Sequence, residues 1–406
     1  MPRKPAQSSG PSVTVSPRGA ARLDSGHPWV YRSDLTAPDG LPPGAMVRVV
    51  DSRGKSFGTA LYSSSSQIAI RMIAREPISD LLSLVAGRIR AAISFRQKFV
   101  ADTDAFRLVF SEGDFLPGLI IDKYNDVLSV QILTQAMDAD PVRATILETL
   151  IAELKPAGIL ERVDPRIREL EQLPPRTSGL LWGKKSSTII AMNGAMNGTG
   201  SDAVRFHYEG LEGQKTGAFL DQRENYRAAT QYAHGEALDV FCYQGGFALH
   251  LARKCSSVTG VDSSRPALEL ADRNAALNGR EIEWIEANAF DLLKDYASSG
   301  RQYDTIVLDP PAFAKSKRDL DKARRGYKEL NLRALKMLRP GGILVTCSCS
   351  FHLGAQSFVE VVADAARDAR KFLHLIESRS QAKDHPMLLN VPETSYLKCL
   401  IVTVTK

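Results

Sequence analysis

Four short stretches of the chain gather residue types that can do chemistry. The first is Leu238-Asp239-Val240-Phe241-Cys242-Tyr243-Gln244-Gly245-Gly246-Phe247, an apolar run carrying an acid and followed by two glycines. Without side chains, the glycines let the backbone approach a ligand closely. The second is Val261-Asp262-Ser263, where an acid ends another apolar run. Lying about 20 residues further on, Asp262 is placed to accept hydrogen bonds from both ribose hydroxyls of an adenosine. The third, Asp309-Pro310-Pro311-Ala312-Phe313, sets a carboxylate before two prolines, which cannot extend a strand ladder and so stiffen the loop. The fourth, Cys347-Ser348-Cys349, offers thiols. A buried cysteine is more often a small hydrophobe than a nucleophile, and Cys255 and Cys399 fit that description. Cys349 differs because it falls at a strand end, on the same edge as Asp239, Asp262 and Asp309. An NAD enzyme would carry G-x-G-x-x-G to seat a pyrophosphate at a helix N-terminus. The Gly-Gly-Phe turn lacks that fingerprint, and S-adenosylmethionine, which has no phosphate, is the favoured cofactor.

For these stretches to converge, each must end a strand of one parallel sheet. From about Gly210 the pattern alternates strands with helices, the signature of a doubly wound, Rossmann-like α/β sheet. Its strands are expected at 237–241, 257–261, 282–286, 305–308 and 343–347, with an antiparallel hairpin at 372–376 and 396–404. Upstream, short strands at 46–50, 57–62 and 67–73 alternate apolar and polar residues and suggest a small β-barrel-like unit. A helix over 79–102 leads into strands at 106–110, 118–122, 127–132 and 158–161 and a helix over 140–154, a small α+β unit. The expected division is a flexible tail over 1–11, a β-rich unit over 12–78, a linker helix and middle domain over 79–200, and the α/β domain over 201–406.

A net charge of +6 is compatible with a polyanionic partner without demanding one. The five cysteines are an odd number with no C-x-x-C pair, so a disulfide framework and a zinc site are both disfavoured. No metal is expected, and a reducing, cytoplasmic setting is. No apolar run reaches the roughly 18 residues that span a bilayer, so no membrane partner is expected.

Seven motifs, in order, resemble the RlmI-type family of large-subunit ribosomal RNA cytosine-5 methyltransferases over nearly the whole chain. They are Arg22 with His27-Pro28-Trp29-Val30, Glu112-Gly113-Asp114 with Leu116-Pro117-Gly118-Leu119, and Lys215-Thr216-Gly217 with Asp221-Gln222-Arg223. Then follow Asp309-Pro310-Pro311 with Phe313, Arg325-Gly326-Tyr327-Lys328, Ser348-Cys349-Ser350 and Asp384-His385-Pro386. The resemblance implies a PUA domain, the family's small α+β domain and a class I methyltransferase acting on ribosomal RNA. A homodimer is left open. The implied chemistry starts from carbon 5 of cytosine, a poor nucleophile. A thiolate, assigned to Cys349, adds to carbon 6 and makes carbon 5 reactive towards a sulfonium methyl. Asp309 hydrogen-bonds the ring as charge develops, and the base that takes the carbon-5 proton is not identified.

The residues expected around the cofactor are Asp239, Phe241, Gly245, Gly246, Asp262, Ser263, Asn288, Ala289 and Asp309, with Phe219, Asp221 and Arg223 covering it from the side. Asp221 and Arg223 fit a structural ion pair equally well. The family's acid after the third strand is replaced by Asn288, whose carbonyl oxygen can accept from the adenine amine. A second cysteine in the Asp-Pro loop is absent, as in the RlmI-type branch. One rival is methylation of an exocyclic base amine, with an aromatic ring stacking on the base; here Phe313 sits one residue late for that role. Another is a non-catalytic RNA-binding assembly factor. RNA contacts are expected at Arg22 and His27, and at Lys315, Lys317, Arg325 and Lys328 after the Asp-Pro-Pro loop. Trp29 reads as core, and His385 as either an acid–base group or a residue fixing backbone.

Overall fold

The computed structural model describes residues 10–194, 203–211, 218–314 and 316–405. Lys315, the Lys317 side chain, the Lys215-Thr216-Gly217 motif and nearly all of the expected tail lie outside them.

The N-terminal unit is a six-stranded sheet of β1 (Ser12–Val15), β2 (Trp29–Tyr31), β3 (Leu35–Thr36), β4 (Met46–Asp51), β5 (Ser56–Tyr62) and β6 (Ile68–Ala74), ordered β2-β6-β5-β4-β1-β3. Val13, Val30, Val49, Ala60 and Ile70 fill its interior. A helix, α1 (Pro17–Asp24), also forms; Ser16 caps it, accepting from the Gly19 N–H, and Pro17 is pre-set for the first turn.

Helix α2 (Leu81–Phe99) starts two residues later than the sequence suggests, capped by Asp80, whose side chain accepts from the Ser83 N–H at 3.0 Å. The middle sheet holds β7 (Ala105–Phe110), β8 (Leu119–Tyr124), β9 (Val127–Ile132), β10 (Gly158–Glu161) and β11 (Gly179–Gly183), ordered β11-β10-β9-β8-β7. Helices α3 (Gln135–Asp138), α4 (Asp140–Leu154) and α5 (Pro165–Leu170) complete the unit. A separate antiparallel pair, β12 (Ser187–Met192) and β13 (Val204–Glu209), straddles residue 200, the boundary read from the sequence. Ile190, Met192, Val204 and Phe206 of this pair join the core of the C-terminal unit.

That unit runs through α6 (Arg223–Tyr232), β14 (Glu236–Val240), α7 (Gly246–Leu251), β15 (Ser257–Asp262), α8 (Arg265–Leu277), β16 (Glu283–Glu286) and α9 (Ala289–Ser298). It continues with β17 (Tyr303–Leu308), α10 (Leu320–Met337), β18 (Leu338–Ser348), α11 (Ala355–Asp368), β19 (Phe372–Arg379) and β20 (Lys398–Thr405). The sheet order is β16-β15-β14-β17-β18-β20-β19, with β14 to β18 parallel and β20 antiparallel to both neighbours. The C-terminal hairpin therefore inserts β20 beside β18, and the start of β20 meets the carboxyl edge of the parallel strands.

Candidate active site

The first turn at this edge is backbone held in an unusual shape. Phe241, Tyr243 and Gly245 have φ of +68°, +48° and +87°, three left-handed residues within five. Such a conformation costs an L-residue roughly 1–2 kcal/mol, so neighbours must enforce it. The Phe241 and Cys242 N–H groups both donate to the Val261 carbonyl, at 2.9 and 3.0 Å. The two glycines serve packing as well as conformation. A Cβ on Gly246 would lie 2.6 Å from the Tyr226 ring, and one on Gly245 would meet Trp284 at 3.0 Å. These positions therefore need a close approach to protein, whatever ligand the turn also meets.

Asp239 is 1% exposed, and one oxygen accepts from the Ala248 N–H at 2.8 Å. The other oxygen is buried with no partner. Burial pushes the carboxyl up to about 8, and the nearby Asp309 and Asp262 add to it. A buried, unsatisfied acid is costly, so the site is built for a partner that this residue can bind. The ammonium of a methionine moiety is such a partner. Asp262 is oriented by the same turn, accepting from the Tyr243 N–H and the Ser264 N–H, each at 2.9 Å. Each carboxylate oxygen keeps a lone pair for a ribose hydroxyl. Ser263 is exposed in the turn that follows. These residues fit S-adenosylmethionine.

Asn288 has a task besides the expected one. Its side-chain oxygen caps α9, accepting from the Phe290 N–H at 2.9 Å and the Asp291 N–H at 3.4 Å, so both of its lone pairs are engaged before any adenine arrives. Ala289 is buried as the first residue of that helix.

Asp309 follows β17, its N–H donating to the Val240 carbonyl at 3.2 Å. Its carboxyl accepts from the Gln222 amide at 2.9 Å and is pushed up to about 7, first by the packed surroundings and then by Asp221. The three residues Asp221-Gln222-Arg223 separate in role. Asp221 accepts from the Tyr396 hydroxyl at 2.6 Å. Gln222, quoted in its motif but given no role by the sequence, reaches Asp309. Arg223, 1% exposed, pairs with Asp102 at 2.5 Å and Asp384 at 3.3 Å. Arg223 therefore ties the units together, and it forms no pair with Asp221. Phe219 is 39% exposed and packs edge-on to Tyr243 at 5.1 Å, over the first turn.

Strand β18 ends at Ser348, so Cys349 lies just beyond it. Cys347 is buried in the ladder opposite Cys399. The Cys349 thiol points to the Pro310 carbonyl, with Sγ and oxygen 3.9 Å apart. Ser350 pins the Asp-Pro-Pro loop: its hydroxyl accepts from the Ala314 N–H at 3.1 Å and bonds the Tyr327 hydroxyl at 3.0 Å. Phe313 packs on Tyr327 with ring centroids 4.7 Å apart, and its flank faces Gly326. Lys398, also missed by the sequence reading, opens β20 beside this thiol.

The expected RNA contacts divide. Arg22 and His27 both bond Glu393, at 3.3 and 2.9 Å, so they clamp the C-terminal loop to the N-terminal unit instead of waiting for phosphate. Lys328 pairs with Asp368 at 2.7 Å. Arg325 is exposed and makes no ion pair among the described residues. His385 is 3% exposed beside Asp384, which favours its structural reading. No helix among the described residues is long and apolar enough to cross a membrane, and no group of His, Cys, Asp or Glu among them could hold a metal ion.

A family model of PUA-like domains matches residues 13–75, and one of S-adenosylmethionine-dependent methyltransferases matches residues 197–403. A Shewanella denitrificans protein named Ribosomal RNA large subunit methyltransferase I is 37% identical, covering 97% of this chain and 99% of its own. The chain belongs to the ribosomal RNA large subunit methyltransferase I family. Relatives with this name from Shewanella amazonensis and Pseudoalteromonas translucida are each 38% identical, over 97% and 93% of this chain and 99% and 95% of theirs. Among solved structures, the methyltransferase SMU.776, complexed with SAH, superimposes with a TM-score of 0.80 at 19% identity, over 96% of this chain and 99% of its own. That likeness extends the shared fold to all three units. By its family the chain is an S-adenosylmethionine-dependent enzyme, and Asp239 and Asp262 are the residues whose geometry fits that cofactor.

Proposed function

We propose that this enzyme methylates carbon 5 of a cytosine in large-subunit (23S) ribosomal RNA through a covalent adduct of Cys349. The carrying observation is the placement of the Cys349 thiol against the loop that presents Asp309, at the carboxyl edge of the sheet. The thiolate adds to carbon 6, and the electron pair of the broken ring double bond moves towards nitrogen 3 and the carbonyl. Held neutral below pH about 7, Asp309 donates a hydrogen bond to the ring where that charge collects. Bound S-adenosylmethionine supplies an electrophilic methyl group. A base then takes the carbon-5 proton, and the sulfur–carbon bond breaks to return the thiolate. Cofactor contacts are assigned to Asp239, Asp262, Ser263, Phe241 and Phe219, and RNA contacts to Arg325 with Lys315 and Lys317.

Amine methylation is disfavoured because the Phe313 ring is taken up by Tyr327 and Gly326 and so withdrawn from base stacking. A binding-only role leaves the unsatisfied Asp239 without a purpose. The five free cysteines, two of them facing each other across β18 and β20, support a reducing, cytoplasmic setting. The test is Cys349→Ala: methylation of ribosomal RNA is abolished while calorimetry finds cofactor affinity intact. Full activity in that variant ends the carbon-5 reading, and mass spectrometry of ribosomal RNA from cells lacking the enzyme identifies the base and atom.

A further inference from the structure

We infer that Lys398 is a positioning residue that holds the Cys349 sulfur as a thiolate. The inference rests on the reading of Cys349 as the nucleophile. Lys398 stands opposite Ser348 in the β18–β20 ladder, at the strand end that Cys349 follows. Its ammonium donates to the carbonyls of Ser350, at 2.6 Å, and Tyr396, at 2.8 Å, so the long side chain is fixed beside the residue adjoining the thiol. The residue is 9% exposed.

Both of those partners are neutral. Among the described residues no carboxylate pairs with Lys398; Asp221 is engaged by Tyr396 and Asp309 by Gln222. A buried ammonium with no counter-ion is costly, and burial lowers Lys398 to about 8. The ionisable group that acts against this fall is Cys349, whose negative form favours the lysine's charge. The attraction is mutual, so the same ammonium favours thiolate over thiol. Cys242, which has no such cation beside it, shows what burial does to a thiol: it is pushed well up, first by burial and then by Asp239 and Asp262. During addition the sulfur's charge passes into the ring, and on elimination it returns to a site where Lys398 is already in place, with no reorganisation.

The test is alkylation of Cys349 by iodoacetamide as a function of pH, followed by peptide mass spectrometry on the full chain. Wild type and Lys398→Arg are expected to alkylate Cys349 with an inflection below the free-cysteine value of about 8.5, and Lys398→Met at least about one unit higher than wild type. In methylation assays Lys398→Met loses more than about tenfold in kcat at neutral pH, and its deficit relative to wild type narrows as pH rises, with KM for RNA unchanged and Lys398→Arg rescuing. Equal inflections in wild type and Lys398→Met overturn the proposal, as does a kcat loss without a shift in thiol reactivity. Should Lys398→Met not fold, a wild-type inflection at or above the free-cysteine value overturns it alone. The alkylation needs neither RNA nor cofactor, so its outcome stands apart from Cys349→Ala, which tests the carbon-5 reading.

Discussion

At the scale of single residues, the site is two opposed titrations on one sheet edge. Cys349 must be a thiolate to attack, and Asp309 must keep its proton to donate to the ring. Because the Asp309 carboxyl is raised to about 7, it is neutral below that pH and becomes a carboxylate as pH climbs through it. The alkaline limb of kcat/KM for methylation therefore belongs to Asp309. Asp309→Asn keeps an N–H donor, so it is expected to lose the alkaline limb while retaining measurable activity; Asp309→Ala is expected to lose about 100-fold, the usual cost of one such donor. Stopped assays across pH check both, and an unchanged alkaline limb in Asp309→Asn would remove the donor role. Asp309 and Cys349 were legible in the sequence because each lies in a short motif at the end of an apolar run. Gln222 and Lys398 were not, because their meaning depends on which strand ends lie side by side. Gln222 acts on a residue 87 positions away, and Lys398 on a carbonyl 48 positions away.

At the scale of elements, the turn from β14 into α7 shows how packing sets the shape of a cofactor loop. Gly246 faces Tyr226 of α6, and that ring in turn sits edge-on to Phe247 at 4.7 Å. Gly246→Ala must move the ring or the helix, and a buried overlap of this kind costs about 1–3 kcal/mol. Gly279→Ala meets no atom within 4 Å and carries only the strain of φ +61°. Urea unfolding should therefore rank Gly246→Ala as the less stable of the two, and calorimetry should find weakened cofactor binding in it alone. Equal cofactor affinities in the two variants would mean that the turn tolerates the shift. The parallel strands were legible because apolar runs alternate with amphipathic helices across 237–347. Helix α1 escaped because it is short, basic and buries only Gly19. Strand β11 escaped because most of it is exposed, leaving no alternation to read. The capping role of Asn288 escaped for a related reason: a residue at a strand's carboxyl end is also the residue before a helix, and its side-chain oxygen caps that helix.

At the scale of the whole molecule, the three units are joined by buried charge, and no sequence pattern links its members. Asp384 is 0% exposed and accepts from the Arg107 N–H at 2.8 Å, while Arg223 reaches it at 3.3 Å and Asp102 at 2.5 Å. The Arg96 guanidinium of α2 donates to the Asp384 carbonyl at 2.7 Å. Further out, Trp29 bonds Glu112 at 3.0 Å and His27 bonds Glu393 at 2.9 Å, which fixes the N-terminal sheet to both other units. Several of the motifs with no chemical role thus serve to hold the PUA-like unit in a set relation to the sheet edge. Although burial acts to raise it, the Asp384 carboxyl is held well below the usual range by His385, Arg223 and the Arg107 N–H. A depressed folded-state value means that the unfolded chain binds the proton more readily. The contribution is therefore present above the unfolded value of about 3.9 and is lost as pH falls through and below it. Asp384→Asn keeps an acceptor but removes the charge, leaving Arg223 with Asp102 and the more distant Glu224 at 3.7 Å, and should destabilise the protein by about 3–5 kcal/mol at neutral pH. Urea midpoints taken at falling pH should drop steeply for wild type on the acid side and more gently for Asp384→Asn. If the two curves stay parallel down to the acid limit, the charge of Asp384 does not hold the units together, and the backbone bonds around it carry the junction.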